Sequence, residues 1–424
     1  MPGNMPEIDG VPVEREAVPQ SVEELAQAAK EAYAQNLSMV AVGGGTQLHL
    51  GNPPRSVRLA LHTRQLRGVV EYEPGNLTVS VRAGTILQEL QDLLGRENQF
   101  LPLDPPHPER ATIGGLLATN ASGPIRFRYG TARDLLLGIQ VVHADGTQTR
   151  AGGKLVKNVT GYDMCKLYIG SLGTLGIISE LTFKVQPKSE AIATVMLAYP
   201  TLRAALEATQ RFLRADLMPD ALEAWNSAAF QTIAEGAEGA PWALLLRFGE
   251  TDAAVRWQLD RLRELVSSGG GSILNVLGTA ESEEIWRRAA SARAPSADGA
   301  DLWLKLSALH QSITDMERRM VELGERLQAR TLLFCHAGTS ILYGRYHWVQ
   351  SECECGEMAR AIVELRRQCT AIGGHLVVEK VRPEVKRGLD VWGYEAPALE
   401  LMRRVKKQFD PKGLLNPGRF VGGI

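Results

Sequence analysis

Three clusters of small residues in the first half of the chain have the composition of an anion cradle. The first, Gly43-Gly44-Gly45-Thr46-Gln47-Leu48, follows directly on an apolar run from Ser38 to Val42. Glycine tolerates φ > 0 and has no Cβ, so successive backbone N–H groups there could close around a pyrophosphate. A tight turn that packs one element against another is the competing reading of the same residues. No Gly-Lys-Ser/Thr follows, and the G-x-G-x-x-G spacing is absent, so neither a Walker loop nor a Rossmann turn is indicated. The second cluster, Ala111-Thr112-Ile113-Gly114-Gly115-Leu116-Leu117-Ala118-Thr119-Asn120-Ala121-Ser122-Gly123, sets small residues around one turn of helix. Such a surface admits a flat, phosphorylated ligand and offers donors from Thr112, Thr119 and the backbone. The third, Gly170-Ser171-Leu172-Gly173-Thr174-Leu175-Gly176-Ile177-Ile178, ends a loop and opens a strand. Any one of them could be structural. Three such loops, each abutting a strand, favour one extended cofactor lying across them.

The second half offers fewer groups in pattern. Cys353-Glu354-Cys355 is a tight pair to which Cys369 could add a third thiolate, one short of the four that an iron–sulfur cluster usually takes. Arg345, Arg382 and Arg387 each carry a fork that could pair with a substrate carboxylate, and nothing in the sequence selects among them. Arg366-Arg367 and the run Arg403, Arg404, Lys406, Lys407 read as solvated helix faces.

The elements that must position these groups are mixed. Residues 21–36 have a helical pattern with Ser21 as N-cap and Glu24 at capping-box spacing. Short strands are predicted at Ser38–Val42, Val57–Leu61, Gly68–Tyr72 and Leu77–Arg82, then an amphipathic helix over Thr85–Leu94. Leu101–Gly130, rich in Pro, Gly, Thr, Ser and Asn, reads as a long functional or disordered connection. Strands return at Leu137–Ala144, with a turn at Asp145-Gly146, and at Gly176–Val185. Beyond Pro187 longer helices are predicted at Leu202–Ala215, Asp252–Val266, Ile313–Gln328, Gly356–Ile372 and Pro397–Phe409. Strands at Ala243–Phe248 and Thr331–Cys335 separate them, and Ala234–Gly239, Ser267–Gly271 and Ala294–Ala300 read as loops. The alternation implies an antiparallel sheet covered by helices.

With 424 residues, 44% hydrophobic and 22% charged, the chain can build two or three packed domains. A formal net charge of -1 gives no field that would recruit nucleic acid or an anionic membrane. The apolar runs are too short to span a bilayer. Five cysteines, an odd number, and an acidic, proline-containing beginning are read as a cytoplasmic protein, with any membrane association made through a partner.

Residues 18–190 resemble the FAD-binding domain of the vanillyl-alcohol-oxidase, or PCMH-type, flavoproteins. The resemblance is carried by Gly43–Leu48, Leu103-Asp104-Pro105, Thr112-Ile113-Gly114-Gly115, Ala118-Thr119-Asn120 and Tyr129-Gly130, then by Lys157-Asn158-Val159-Thr160-Gly161-Tyr162-Asp163 and Gly170–Gly176. The ending Phe409-Asp410-Pro411-Lys412-Gly413-Leu414-Leu415-Asn416-Pro417-Gly418 is similar to that of FAD-linked oxidases of 2-hydroxy acids. The resemblance implies an α+β chain: a PCMH-type FAD-binding domain (18–190), an antiparallel-sheet-plus-helices cap domain (191–395), and a terminal segment (396–424) returning to the flavin domain. It implies FAD contacts from Gly43, Gly44, Gly45, Thr46, Gln47, Leu48, Asp104, Thr112, Gly114, Gly115, Thr119, Asn120, Gly173, Gly176, Ile177 and Asn416. Gly43–Leu48 and Thr112–Asn120 would hold the pyrophosphate, and Gly173–Ile178 would lie along the adenine and ribose. Thr46 stands where some relatives attach FAD through histidine, which implies non-covalent FAD.

Catalytic relatives acting on D-2-hydroxy acids carry a divalent metal and a base within His-Ala-Gly-Asp-Gly-Asn-Leu-His and a later Gly-Glu-His. Here the first segment reads His336-Ala337-Gly338-Thr339-Ser340-Ile341-Leu342-Tyr343 and the second Val378-Glu379-Lys380. A charged lysine cannot ligate and a tyrosine is a poor substitute for imidazole, so no metal site is expected. His336 is read as a partly buried, hydrogen-bonded histidine after a strand, and no catalytic residue is assigned. The pattern is similar to that of the FAD-binding subunits of glycolate oxidase complexes, which implies a hetero-oligomer. A catalytic FAD subunit would oxidise the small 2-hydroxy acid and an iron–sulfur subunit would pass electrons on. A self-sufficient flavoenzyme and a non-enzymatic subunit with a residual flavin pocket are the alternatives.

Overall fold

The computed structural model describes residues 7–153, 162–234, 240–267, 269–294, 301–348, 353–394 and 397–424. The Lys157–Gly161 motif and the loops read at 235–239 and 295–300 lie outside the described residues. The chain divides into two compact units, Met1–Ser122 with Gly130–Lys188 and Asp390–Ile424, and Gly123–Tyr129 with Ser189–Leu389.

The first unit contains two main sheets. A parallel three-stranded sheet has the order Glu16–Ala17, Leu59–His62, Met39–Val42. Against it packs the helix Val22–Ala34, whose Val22, Leu25, Ala26, Ala29 and Ala32 recur at helical spacing and are buried. Ser21 Oγ accepts the Glu24 N–H at 3.1 Å, a cap worth about 1 kcal/mol. The Glu24 carboxylate accepts from Gln20 N, one residue before the cap that a capping box would use. A five-stranded antiparallel sheet follows, in the order Gln148–Gly152, Leu136–Val142, Ile177–Lys184, Thr78–Arg82, Val69–Glu73. The helices Leu87–Gly95 and Ile113–Thr119 share a buried core with it through Leu87, Leu90, Ile113, Leu116, Leu117, Val79, Ile139, Leu181 and Phe183.

The stretch expected as one long connection, 101–130, therefore contains ordered helix, at Ile113–Thr119 and again at Arg126–Tyr129. Its small residues lower helix propensity, but Thr112 caps the first of these helices and apolar burial holds it. Gly114 stands where a Cβ would lie 2.7 Å from Ala83 Cβ, so the glycine permits that close packing.

The second unit is built on an eight-stranded antiparallel sheet. Its order is Ser272–Leu277, Ala191–Tyr199, Trp242–Glu250, Ala221–Asn226, Arg330–His336, Ile341–His347, Asp301–Ser307, His375–Lys380. The helices Leu202–Arg214, Asp252–Ser267, Thr279–Ala292, Ile313–Arg326 and Cys355–Ala371 pack on it. Register decides what one face presents. Glu223 stands opposite His336 and Trp225 opposite Phe334, while Tyr343 lies between Phe334 and Lys305, and Arg345 between Leu332 and Trp303. Side chains alternate along each strand, so these residues from four strands project to the same side. Thr279–Ala292 packs there through Ile285 and Ala289. Among the described residues no helix is long and apolar enough to cross a membrane.

Candidate functional site

The strand Met39–Val42 is buried along most of its length and delivers the chain into Gly43. A Cβ on Gly43 would meet Thr112 Oγ1 at 2.3 Å, and one on Gly44 would meet Arg110 O at 1.9 Å. Gly45 has φ +76°. The glycines are required by the close approach of residues 110–115 and by a left-handed turn. Thr112 Oγ1 accepts the N–H groups of Gly44 at 3.3 Å and Gly115 at 3.4 Å, which leaves its own hydroxyl proton to donate elsewhere. Thr119 differs from expectation as a donor: its hydroxyl gives its proton to Gly115 O at 2.9 Å, one helical turn back.

The third cluster is tied to the second, since Gly170 N donates to Leu117 O at 2.9 Å and Leu172 N to Ala118 O at 2.8 Å. The terminal segment closes the arrangement. Met39 N donates to Leu414 O and Asn416 N to Met39 O, each at 2.7 Å, so residues 414–416 extend the parallel sheet locally. Lys406, read as part of a solvated face, is instead buried and holds this segment. Its ammonium donates to Asp410 Oδ2 at 2.6 Å, Thr174 O at 2.8 Å and Leu415 O at 2.9 Å, which uses all its protons. Burial lowers its pKa, and the Asp410 carboxylate opposes that shift.

These parts enclose a hollow lined by Gly43, Gly44, Gly45, Thr46, Gln47, Leu48, Thr112, Gly115, Thr119 and Asn416. Four further residues join it that the motif reading missed: Ala41, Ala118, Leu172 and Arg419. Asp104, Gly114, Asn120, Gly173, Gly176 and Ile177 stand outside its lining. Gly173, at φ +69°, packs against Asn416, where a Cβ would lie 2.8 Å from Nδ2. Gly176 lies against Val141 Cγ1 and Ile177 is buried.

Arg419 is buried to 4% exposure; its Nη2 donates to Leu48 O at 2.6 Å and Leu50 O at 2.7 Å, and its Nε has no partner. Burial presses its pKa down, opposed by Asp9, but a guanidinium stays charged in a protein. Asn416 Nδ2 and Ser171 Oγ are also buried without a partner. Unmet donors and a buried cation beside a glycine loop fit an acidic, oxygen-rich group such as the pyrophosphate of FAD.

The second unit gathers the other chemistry-bearing groups. His336 closes its strand at 4% exposure, more deeply buried than expected, with Nδ1 bonded to Glu223 Oε1. Glu223 also accepts from Trp225 Nε1 at 3.3 Å and lies 3.8 Å from Arg293 Nη1. Burial depresses the His336 pKa, Glu223 opposes that, and Arg293 and Arg126 add to it, so the ring is neutral at pH 7. Tyr343 packs edge-on to His336 with ring centroids 5.2 Å apart. Lys305 Nζ lies 5.7 Å from the Tyr343 ring centre and 3.7 Å from Glu379 Oε1.

This donor set does not fit a divalent metal. The position of a second histidine holds a tyrosine whose pKa is raised by burial, although Lys305 opposes the shift, and the Glu379 carboxylate faces an ammonium. Among the described residues no group of three or more His, Cys, Asp or Glu could hold a metal ion.

Of the arginines considered for a substrate carboxylate, Arg345 lies 5.4 Å from the Trp303 ring centre and donates to Ala292 O at 3.3 Å. Arg382 donates to Cys353 O, and Arg387 is exposed. Glu223 and Arg293 were not legible. They reach His336 across 113 positions of chain in one case and from the end of a helix in the other.

Residues 14–152 match the family of FAD binding domains, and residues 188–420 match the C-terminal domain of FAD linked oxidases. The chain is 27% identical over 415 residues to glycolate oxidase subunit GlcD of Bacillus subtilis (strain 168), covering 95% of this chain and 87% of that protein. It is 31% identical over 300 residues to glycolate oxidase subunit GlcE of Escherichia coli (strain K12), covering 68% and 81%. Its fold is similar to a crystal structure of p-cresol methylhydroxylase with substrate bound, at TM-score 0.74 and 14% identity, over 95% of this chain and 88% of that one. With a glycine-lined hollow in one unit, a helix-covered antiparallel sheet in the other and both parts matched, the chain belongs to the FAD-linked oxidases and is an FAD-dependent oxidoreductase.

Proposed function

We propose that the chain is an FAD-binding subunit of a glycolate-oxidising complex that takes glycolate to glyoxylate and passes the electrons onward. In this reading it is not the main substrate-oxidising subunit. The observation that carries the second part is the replacement of two histidines of the metal-ligating pattern by Tyr343 and Lys380, with Lys305 beside the surviving Glu379 carboxylate. Resemblance to two glycolate oxidase subunits supports the first part. The FAD is non-covalent, because Thr46 occupies the loop position at which histidine attachment occurs in some relatives. The partners are a catalytic FAD subunit and an iron–sulfur subunit, and the complex is cytoplasmic or peripheral at the inner membrane through those partners.

In the flavin unit Gly43–Leu48 and Thr112 would supply backbone and hydroxyl donors to the pyrophosphate. Arg419 would balance its charge from below the loop, with Asn416 donating beside it. The bound flavin supplies two-electron redox chemistry, while the protein orients it and keeps competing reactions out. Lys406 holds the terminal segment so that Asn416 and Arg419 stay in place.

The test is an absorbance spectrum of the purified chain before and after acid precipitation, followed by anaerobic glycolate with and without the two partner subunits. Flavin bands that leave with the acid supernatant, and bleach only when partners are present, are the expected result. Bleaching by the chain alone would establish a self-sufficient 2-hydroxy-acid dehydrogenase. A chain that takes up no FAD would be a structural subunit with a residual pocket.

A further inference from the structure

The first unit has a surface recess, separate from the glycine-lined hollow, whose groups have no task in flavin binding. Its volume of about 340 Å³ falls within the range of small-molecule sites, about 300–1,000 Å³. Tyr33, His143, Asp145, Thr147, Gln408 and Phe409 line it, and it shares no lining residue with the hollow. Three of these residues present rings that are fixed from outside the recess. His143 and Phe409 pack with centroids 5.7 Å apart, and Tyr168 meets Phe409 edge-on at 6.1 Å. His143 Nε2 is bonded to Thr149 Oγ1 at 2.8 Å. Tyr33 is held by Lys412, whose ammonium lies 4.0 Å from the ring centre and donates to Tyr33 O at 2.9 Å. Rings that are fixed yet half-exposed offer π-faces to a flat ligand.

The polar groups are few and of complementary kinds. Among the described residues lining the recess, Asp145 alone is acidic, and its Oδ1 accepts Thr147 N at 2.9 Å. Burial opposes its ionisation, but the bonds from Thr147 outweigh that and hold its pKa below the ordinary value. The carboxylate is therefore charged at pH 7, with lone pairs left for a ligand. Gln408 is exposed and carries an amide donor. Three exposed lysines are grouped around these residues. Lys30 packs so closely on Gly146 that a Cβ there would lie 2.8 Å from its own, Lys407 adjoins Gln408, and Lys412 sits on Tyr33.

We propose that this recess binds an adenine nucleotide, as a second nucleotide site beside the one for FAD. The base lies among the rings of Tyr33, His143 and Phe409. Its exocyclic amino group donates to Asp145, its N1 accepts from the Gln408 amide, and its phosphate meets the lysines. An organic cation would suit the rings and Asp145 but is opposed by three ammonium groups, and a simple anion would leave the rings and the carboxylate without a partner. The site requires neither glycolate nor a partner subunit, so it stands or falls separately from the complex proposed above.

The experiment is equilibrium dialysis of the full-length chain at low ionic strength, with excess FAD present throughout so that the flavin hollow is closed to competitors. The probes are AMP, adenosine, ribose 5-phosphate, and purine riboside 5′-monophosphate, which lacks the amino group. AMP is expected to bind saturably without loss of bound flavin. Purine riboside 5′-monophosphate should bind about tenfold more weakly for want of the bond to Asp145, and ribose 5-phosphate not detectably. Lys407→Glu is expected to weaken AMP about threefold or more and to leave adenosine unchanged. Asp145→Asn still caps its turn but loses the charge, and should cut the preference for AMP over the amino-free nucleotide. Flavin absorbance and melting temperature report whether each variant is folded, and the four probes on the unaltered chain decide the question if a variant is not. Absence of saturable AMP binding, AMP binding that excess FAD abolishes, equal binding of ribose 5-phosphate, or unchanged AMP affinity in both folded variants would each overturn the assignment.

Discussion

Gly44→Ala tests whether the glycine loop is a cradle or only a turn. The new Cβ would lie 1.9 Å from Arg110 O, whereas a carbon–oxygen contact is comfortable at about 3.3 Å, so the two segments must part by about 1.4 Å. Arg110 O cannot simply swing away. Its peptide belongs to a turn in which Arg110 N and Ala111 N both donate to His107 O, at 3.0 and 2.8 Å. Forcing that turn costs about 1–3 kcal/mol by analogy with overpacked cores, and the bond from Gly44 N to Thr112 Oγ1 is lost as the segments separate. Expressed at the ligand, this is about a 10- to 100-fold loss of FAD affinity. Gly45→Ala is the matched control. Its φ of +76° costs an L-residue about 1–2 kcal/mol, but its Cβ meets nothing closer than Leu48 Cδ1 at 3.9 Å. It should lower the melting temperature while leaving the hollow intact. Titrating apo-protein with FAD and following the quenching of flavin fluorescence measures both. Equal FAD affinity in the two variants would refute the reasoning, since strain in the loop would then matter and its closeness to residues 110–112 would not.

Lys406→Met should destabilise the flavin unit by about 3–5 kcal/mol, because it leaves Asp410 buried without its cation; a denaturant titration reads this out. Burial pushes the Cys165 and Cys369 thiols up to about 11 and raises Cys335 further, so native-state maleimide labelling should modify Cys353 and Cys355 alone, as peptide mapping would show. The depressed pKa of His336 means the folded chain binds fewer protons there than the unfolded chain. That stability is present above the unfolded value of about 6.5 and is lost as pH falls. Melting temperature should therefore drop between pH 7 and pH 5, and drop less steeply in His336→Gln.

What the sequence disclosed follows the range over which each signal acts. The cap at Ser21, the turn at Asp145-Gly146 and the helix beginning at Leu202 are encoded within a few residues, and all three are present. The helix Thr279–Ala292 escaped notice because its N-cap is Gly278, which has no side chain to announce it; Glu281 does the capping by accepting from Gly278 N at 3.1 Å. At Ile113–Thr119 the sequence showed one turn of helix within a long connection, and the helix runs the full seven residues because its stability comes from burial and not from propensity. The same distinction separates the parts of the two sites. Gly43–Leu48 lies in one stretch of chain and shows as a cluster, whereas Arg419 becomes part of the hollow only through bonds to Leu48 and Leu50, 371 and 369 positions away. Lys406 read as a surface residue because basic residues surround it, and only the fold reveals three acceptors converging on its ammonium.

Electrostatics explains why the change from a metal-binding pattern involves more than the loss of ligands. Deleting a histidine from a metal site would leave the remaining donors able to bind weakly. Here the lost imidazole is accompanied by a cation, since Lys305 stands 3.7 Å from Glu379, the carboxylate that survives from the pattern. A divalent ion held about 4 Å from that ammonium would be repelled by about 8 kcal/mol at an effective dielectric of 20, from Coulomb's law alone. Arg293 and Arg126 add to the opposition. The imidazole of His336 is also already held by Glu223 through Nδ1. Lys305, Arg293 and Arg126 together oppose a further cation at this face. One substitution cannot reverse the preference: removing Lys305 would relieve the repulsion yet leave His336 and Glu379 as two ligands where a stable site needs three or four.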